Sequence, residues 1–131
     1  SYNYPGAEHL LTLLIENYPD YVDRERAYYS LGETYRQRSI TADELETWGK
    51  GELAQKFGGK EAFRDLDKDQ QKQMVDDQNA WVKARIDGWR QQAKEYYQRL
   101  VESYPNSEWA RHASDRLVEM GQTGLKEELD M

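Results

Sequence analysis

Two stretches of the chain carry the same pattern of apolar and polar positions. In Ala7–Pro19 (AEHLLTLLIENYP) the apolar residues Ala7, Leu11, Leu14 and Ile15 fall at i, i+4, i+7 and i+8. In Ala93–Pro105 (AKEYYQRLVESYP) Ala93, Tyr97, Leu100 and Val101 repeat that spacing, 86 residues further on. Such spacing places each set on one stripe of an α-helix. Glu16, Tyr18 and Pro19 recur as the identical Glu102, Tyr104 and Pro105. Proline disfavours helical geometry in the residue before it, so each Tyr-Pro pair is expected to end its helix.

A second helix is predicted after each proline. The first has Ala27, Tyr28, Leu31 and Tyr35 on one face, and the second Trp109, Ala113, Leu117 and Met120. Ser107 suits the N-cap of the latter and Gly121 its stop. The repeat helices are placed at about 7–18, 23–38, 90–104 and 108–120, within a single domain spanning 1–131.

Residues 39–89 form a helical insert between the two hairpins. Thr41-Ala-Asp-Glu44 reads as a capping box opening a helix to about Phe57, which Gly58-Gly59 breaks. Lys60 to Leu66 is predicted as a short helix. Asp67, with Gln70 three positions on, caps a long helix with no stop between Lys68 and Tyr104. Met74, Trp81, Ile86, Trp89, Ala93 and Leu100 mark its apolar stripe, and Gly88 is its weak point, costing about 1 kcal/mol relative to Ala.

Tyr28-x-x-Leu31-Gly32-x-x-Tyr35 resembles the first-helix signature of the tetratricopeptide repeat, with Tyr where that family has Trp. Ala7-x₃-Leu11…Pro19 and Ala93-x₃-Tyr97…Pro105 resemble its second-helix signature. The resemblance implies an all-α fold of antiparallel helix hairpins in a right-handed superhelix, and a protein-binding role. Small Ala and Gly would let the helices approach while large residues fill the space between them. The insert interrupts the family's period, and Val118 and Gly121 stand where Gly and Tyr are expected. The Tyr-Pro-Asp/Asn turns are also similar to those of outer-membrane assembly lipoproteins of the BamD (YfiO) type and of the Tol-Pal-associated periplasmic repeat family. That closer resemblance implies a periplasmic scaffold for envelope assembly, anchored to the outer membrane through a lipidated segment upstream of Ser1. A cytoplasmic location stays open as the alternative.

Composition tempers this picture. Leu, Ile, Val and Phe number only 22 of 131 residues and the net charge is −7, a balance that by itself leans towards disorder. Ten Tyr and four Trp offset it, since each ring buries roughly 150–250 Å². Lys and Arg alternate with Asp and Glu along the chain, which argues against nucleic acid as a partner. The longest apolar run, Leu10 to Ile15, is too short to span a bilayer, and no signal peptide is present. The absence of Cys excludes disulfides and thiolate chemistry.

Little in the chain resembles a reaction centre, so no catalytic residue, cofactor or metal is assigned. Asp65, Asp67, Asp69 and Asp76 have the spacing of a calcium loop, but Gln70 occupies the position where that loop needs Gly. His9 and His112 have no second His or Cys at ligand spacing. Asp76 and Asp77 point about 100° apart on a helix and read as a solvated face.

The candidate binding residues lie on the non-core face of the second helix: Arg26, Tyr29, Glu33 and Arg36. Tyr packing and Arg–carboxylate bonds on such a face suit a protein or peptide partner held in the groove that first helices line in this family, within a membrane-assembly complex if the closer resemblance holds. Tyr28, Tyr35, Tyr97 and Trp109 are assigned to the core. A structural or oligomerising module that pairs through its long helix is the second reading, and the insert around Trp48 and Trp81 is the second candidate surface.

Overall fold

The computed structural model describes residues 3–18, 20–45 and 51–122, and Trp48 and Pro19 lie outside them. Every regular element among the described residues is helical, with no strand among them. The elements are α1 (Tyr4–Asn17), α2 (Arg24–Thr41), a 3-10 turn (Asp43–Leu45), α3 (Glu52–Phe57), α4 (Gly59–Arg64), α5 (Lys68–Ser103), α6 (Glu108–Leu117) and a π-helical turn (Val118–Gln122). They fall into two compact units. The first comprises Ser1–Arg36 with Arg90–Met131, the second Gln37–Trp89.

Local chemistry accounts for most helix ends. Asn3 accepts a hydrogen bond from the Gly6 amide (3.1 Å), and Pro5 sits in the first turn, so α1 starts three residues before the apolar stripe does. Asp67 and Gln70 cap α5 reciprocally. The Gln70 amide donates to Asp67 Oδ1 (2.8 Å) and the Asp67 amide donates to Gln70 Oε1 (3.2 Å). The Trp109 amide donates to Ser107 Oγ (3.0 Å) at the start of α6. Gly58 and Gly59 both have positive φ (93° and 75°), which ends α3 and turns the chain into α4.

One expected start is absent. Thr41 is the last residue of α2 rather than a cap, and its hydroxyl donates back to the Gln37 carbonyl (3.1 Å). Glu44 does not reach back to close a capping box. Its carboxylate instead takes two hydrogen bonds from Arg38, at 2.6 and 2.9 Å. A bidentate charge-assisted pair outweighs a single cap bond, so α2 runs past residue 38 and turns at Ala42, whose φ is +52°.

In the first unit the core joins α1, α2, α5 and α6. Leu31, Ala93, Tyr97, Leu100 and Ala113 are wholly buried, and Ile15, Ala27, Tyr28, Tyr35, Ala110, Leu117 and Met120 nearly so. Gly32 explains how tightly α2 meets α5. A Cβ there would lie 2.5 Å from the Tyr97 ring, so the pair needs a residue with no side chain. Around this contact the tyrosines pack on one another. Tyr28 lies against Tyr96 and Tyr104, with centroids 6.5 and 6.2 Å away, and Tyr35 stacks on Tyr96 at 5.8 Å. At the edge Tyr35 Oη donates to Glu8 and Arg24 donates through Nη2 to the Ile15 carbonyl (2.9 Å).

The second unit centres on Trp89, which is 4% exposed. The guanidiniums of Arg38 and Arg85 lie 5.0 and 4.8 Å from its ring centre. Each is held in place by a carboxylate, Glu44 for Arg38 and Glu52 for Arg85. Leu45 and Leu53 are buried in this unit, while Trp81 meets Phe57 edge-on at 6.2 Å and stays half-buried. The Arg38 guanidinium is nearly buried, where a cation–π contact is worth about 2 kcal/mol, while that of Arg85 is more exposed and its contact is worth about 0.5–1 kcal/mol.

Candidate protein-binding face

In the first unit α6 packs against the side of α2 that carries the candidate residues. Tyr29 is half-buried there, its ring 5.8 Å from Tyr97, 5.3 Å from Trp109 and 6.0 Å from His112. It is therefore a packing residue as well as a surface one. Its position one residue off the Tyr28–Leu31–Tyr35 stripe points it away from α5's centre line and towards α6.

Glu33 joins three cationic or hydroxylic partners. Its Oε1 accepts from Tyr97 Oη (2.6 Å) and Arg116 Nε (2.8 Å), and its Oε2 lies 3.9 Å from Arg36. Glu119 completes the chain of charges, accepting from Arg116 Nη1 (3.0 Å) and lying 3.6 Å from Arg36. Two guanidiniums and two carboxylates thus alternate across α2 and the end of α6. The helical pattern alone assigns Glu33 and Arg36 to a partner, whereas the structure gives both of them internal partners.

The electrostatics follow from this packing. Burial is the main cause that pushes the Tyr97 hydroxyl far above its ordinary range, and its bond to Glu33 adds to that. Tyr29 is raised too, by burial first, with the Arg116 hydrogen bond opposing. Burial alone would lower Arg116, but bonds to Tyr29 and Glu119 and the charge of Glu33 outweigh it, and its guanidinium is held more firmly protonated than usual. All three groups keep their neutral-pH states, so the site offers fixed charges rather than a proton to transfer.

What remains towards solvent is a ledge of aromatic and cationic groups. Arg26 and His112 are exposed, and Trp109 and Tyr29 are half-buried between them. Arg26 lies 5.9 Å from the Trp109 ring centre, and His112 is 5.8 Å from Trp109. Trp109, assigned to the core on its spacing, is the centre of this ledge. His112 on α6 and Glu119 on the π-helical turn after it lie 86 residues after Arg26 and Glu33, so the internal repeat itself marks them as equivalents.

No group of three or more His, Cys, Asp or Glu able to hold a metal ion occurs among the described residues. Asp67, the centre of the calcium-like spacing, has its carboxylate engaged in the α5 cap. No described helix is long and apolar enough to cross a membrane.

Residues 82–107 match the Tetratricopeptide repeat family. The chain is tetratricopeptide-like. The match covers the second-helix signature, Ala93 to Pro105, and the turn into α6. Gly32 against Tyr97 supplies the structural counterpart, since it joins the small residue of one signature to the large residue of the other. No curated protein and no solved structure matched the chain. A tetratricopeptide-like fold suits a protein partner.

Proposed function

We propose that this tetratricopeptide-like chain is a non-catalytic scaffold that holds a protein segment on the ledge of Arg26, Tyr29, Trp109 and His112. The observation that carries the reading is the half-exposed Trp109 ring with a guanidinium beside it. Trp, Tyr and Arg are the residue types that most often anchor interfaces, and a carboxylate-bearing segment with one apolar side chain fits both features. Glu33, Arg36, Arg116 and Glu119 fix the two helices that form the ledge, and their charges largely neutralise one another.

The finer reading places this scaffold in bacterial envelope assembly, in the periplasm. It rests on the Tyr-Pro-Asp/Asn turns and their similarity to the two envelope families. Fractionating cells that express the native protein tests the compartment directly, and recovery from the cytosol alone would end that reading.

The binding face is tested by pull-down from envelope and cytosolic fractions, followed by titration of the purified partner. Arg26→Glu, at an exposed position, should leave the melting temperature unchanged and weaken the partner at least about fivefold, equivalent to roughly 1 kcal/mol. Trp109→Ala should weaken it further. Unchanged affinity in both variants would place the working surface elsewhere.

A further inference from the structure

Within the first unit, each half of the α2–α5 contact has a repeat-equivalent that leaves several of its residues exposed. In that contact Tyr28 packs on Tyr96 and Tyr104, Tyr35 stacks on Tyr96, Gly32 backs onto Tyr97, and Arg24 donates to Tyr104 Oη (3.3 Å). A shift of 86 residues turns Arg24, Tyr28, Gly32 and Tyr35 into Ala110, Ser114, Val118 and Gly121. The same relation links Tyr96, Tyr97 and Tyr104 to Leu10, Leu11 and Tyr18 of α1. Leu10 and Tyr18 are each 60% exposed, Val118 is 46% exposed, and Ser114 is exposed. One chain therefore carries, on separate flanks, both halves of a helix contact that it already makes once internally.

We propose that the α1 flank of one copy docks on the α6 flank of a second copy, head to tail, repeating the α2–α5 contact between molecules. Shape supports the choice of occupant. Ala110 and Ser114 stand where α2 has the bulky Arg24 and Tyr28, and beside them a groove of about 330 Å³ opens, lined also by Val101 and Pro105. Tyr18, the equivalent of Tyr104, projects from α1 at the matching position. Charge agrees as well, since Arg111 lines the groove and Glu16 lies two residues before Tyr18. The contact joins unlike surfaces, so it builds rings or open chains rather than a two-fold dimer. It uses flanks separate from the Trp109 ledge, so it stands or falls independently of the partner-binding reading.

Sedimentation velocity of the purified 131-residue chain tests this, from about 10 µM to 1 mM, a range that reaches weak self-association. The mass should rise above 15.5 kDa with concentration. Tyr18→Arg and Ser114→Arg, both at exposed positions, should each weaken self-association at least tenfold while circular dichroism stays that of the parent. Leu10→Arg is a second α1 variant with the same expectation. Mixed in equal amounts, Tyr18→Arg and Ser114→Arg should form a dimer and nothing larger, because one intact flank remains on each. A parent chain that stays monomeric at every concentration overturns the proposal. So does self-association that survives in both single variants, or a mixture that fails to dimerise.

Discussion

Gly32 and Gly88 both lie inside long helices, and the structure assigns opposite signs to the same substitution at the two sites. Alanine in a helix interior is favoured over glycine by about 1 kcal/mol. At Gly88 a new Cβ meets nothing within 4 Å, so Gly88→Ala should realise that gain in full. At Gly32 the new Cβ would lie 2.5, 2.7 and 2.9 Å from three atoms of the Tyr97 ring. The ring has little freedom to yield. It is wholly buried, it packs on Tyr29, and its hydroxyl is tied to Glu33 at 2.6 Å. Overpacking of this kind costs roughly 1–3 kcal/mol, and displacing the ring also weakens a hydrogen bond to a charged group worth about 1.5–3 kcal/mol. Set against the propensity gain of about 1 kcal/mol, Gly32→Ala should destabilise by about 2 kcal/mol. Urea unfolding followed by circular dichroism would then separate the two variants by about 3 kcal/mol, with Gly88→Ala above the parent and Gly32→Ala below it. Tyr97→Leu, which makes room at the contact, should reduce the cost of Gly32→Ala in a double-mutant cycle. Two stabilised variants, or a Gly32→Ala cost that is unchanged in the Tyr97→Leu background, would refute the account of how α2 and α5 meet.

Leu31→Ala should cost about 2–5 kcal/mol, because Leu31 is wholly buried, while Lys60→Ala at an exposed position should change stability by less than about 0.5 kcal/mol; equal effects in unfolding experiments would contradict the packing described. Raising the pH should destabilise the fold. The Tyr97 hydroxyl is held well above its ordinary range, so the unfolded chain loses that proton near pH 10 while the folded chain keeps it; this stability is complete below pH 10 and declines above it by about 1.4 kcal/mol per pH unit, a slope that Tyr97→Phe should remove from a pH series of melts. Tyr29→Ala should destabilise the fold by about 1–2 kcal/mol through loss of contacts with Tyr97 and Trp109, whereas Tyr29→Phe should retain most of that packing; an unchanged melting temperature for Tyr29→Ala would place the ring outside the core.

Much of this was legible in the pattern of side chains. The stripe Ala27, Tyr28, Leu31, Tyr35 is buried in full, and Asp67, Gln70 and Ser107 cap the helices that their types and positions indicated. Periodicity and capping are local properties, and they survive folding because tertiary contacts here reinforce them. Thr41 shows the opposite case. Its spacing to Glu44 satisfies a capping box, but Arg38 lies one turn earlier and claims the carboxylate. A sequence pattern does not rank two partners competing for one acceptor. The candidate face shows a further limit. A single helix reveals which residues leave its own core stripe, but whether a neighbouring helix then covers them depends on packing remote in sequence. Arg116 reaches Glu33 across 83 positions, a relation that helical periodicity does not encode.

The division of labour on α2 bears on where a partner meets the chain. One side of this helix, Tyr28, Gly32 and Tyr35, is taken up by α5, and the adjacent side, Tyr29, Glu33 and Arg36, engages α5 and α6. A partner laid along α2 alone would have to displace charge pairs that already satisfy one another, leaving buried or half-buried charges without their counterparts, which is costly. A partner laid across the two helices meets no such cost. On the proposed reading it would pass from Arg26 over Trp109 to His112, the repeat-equivalent of Arg26. On the proposed reading the internal repeat sets the direction of binding: across helices, from one first helix to the next, with the Glu33–Arg116 pair holding the spacing between them.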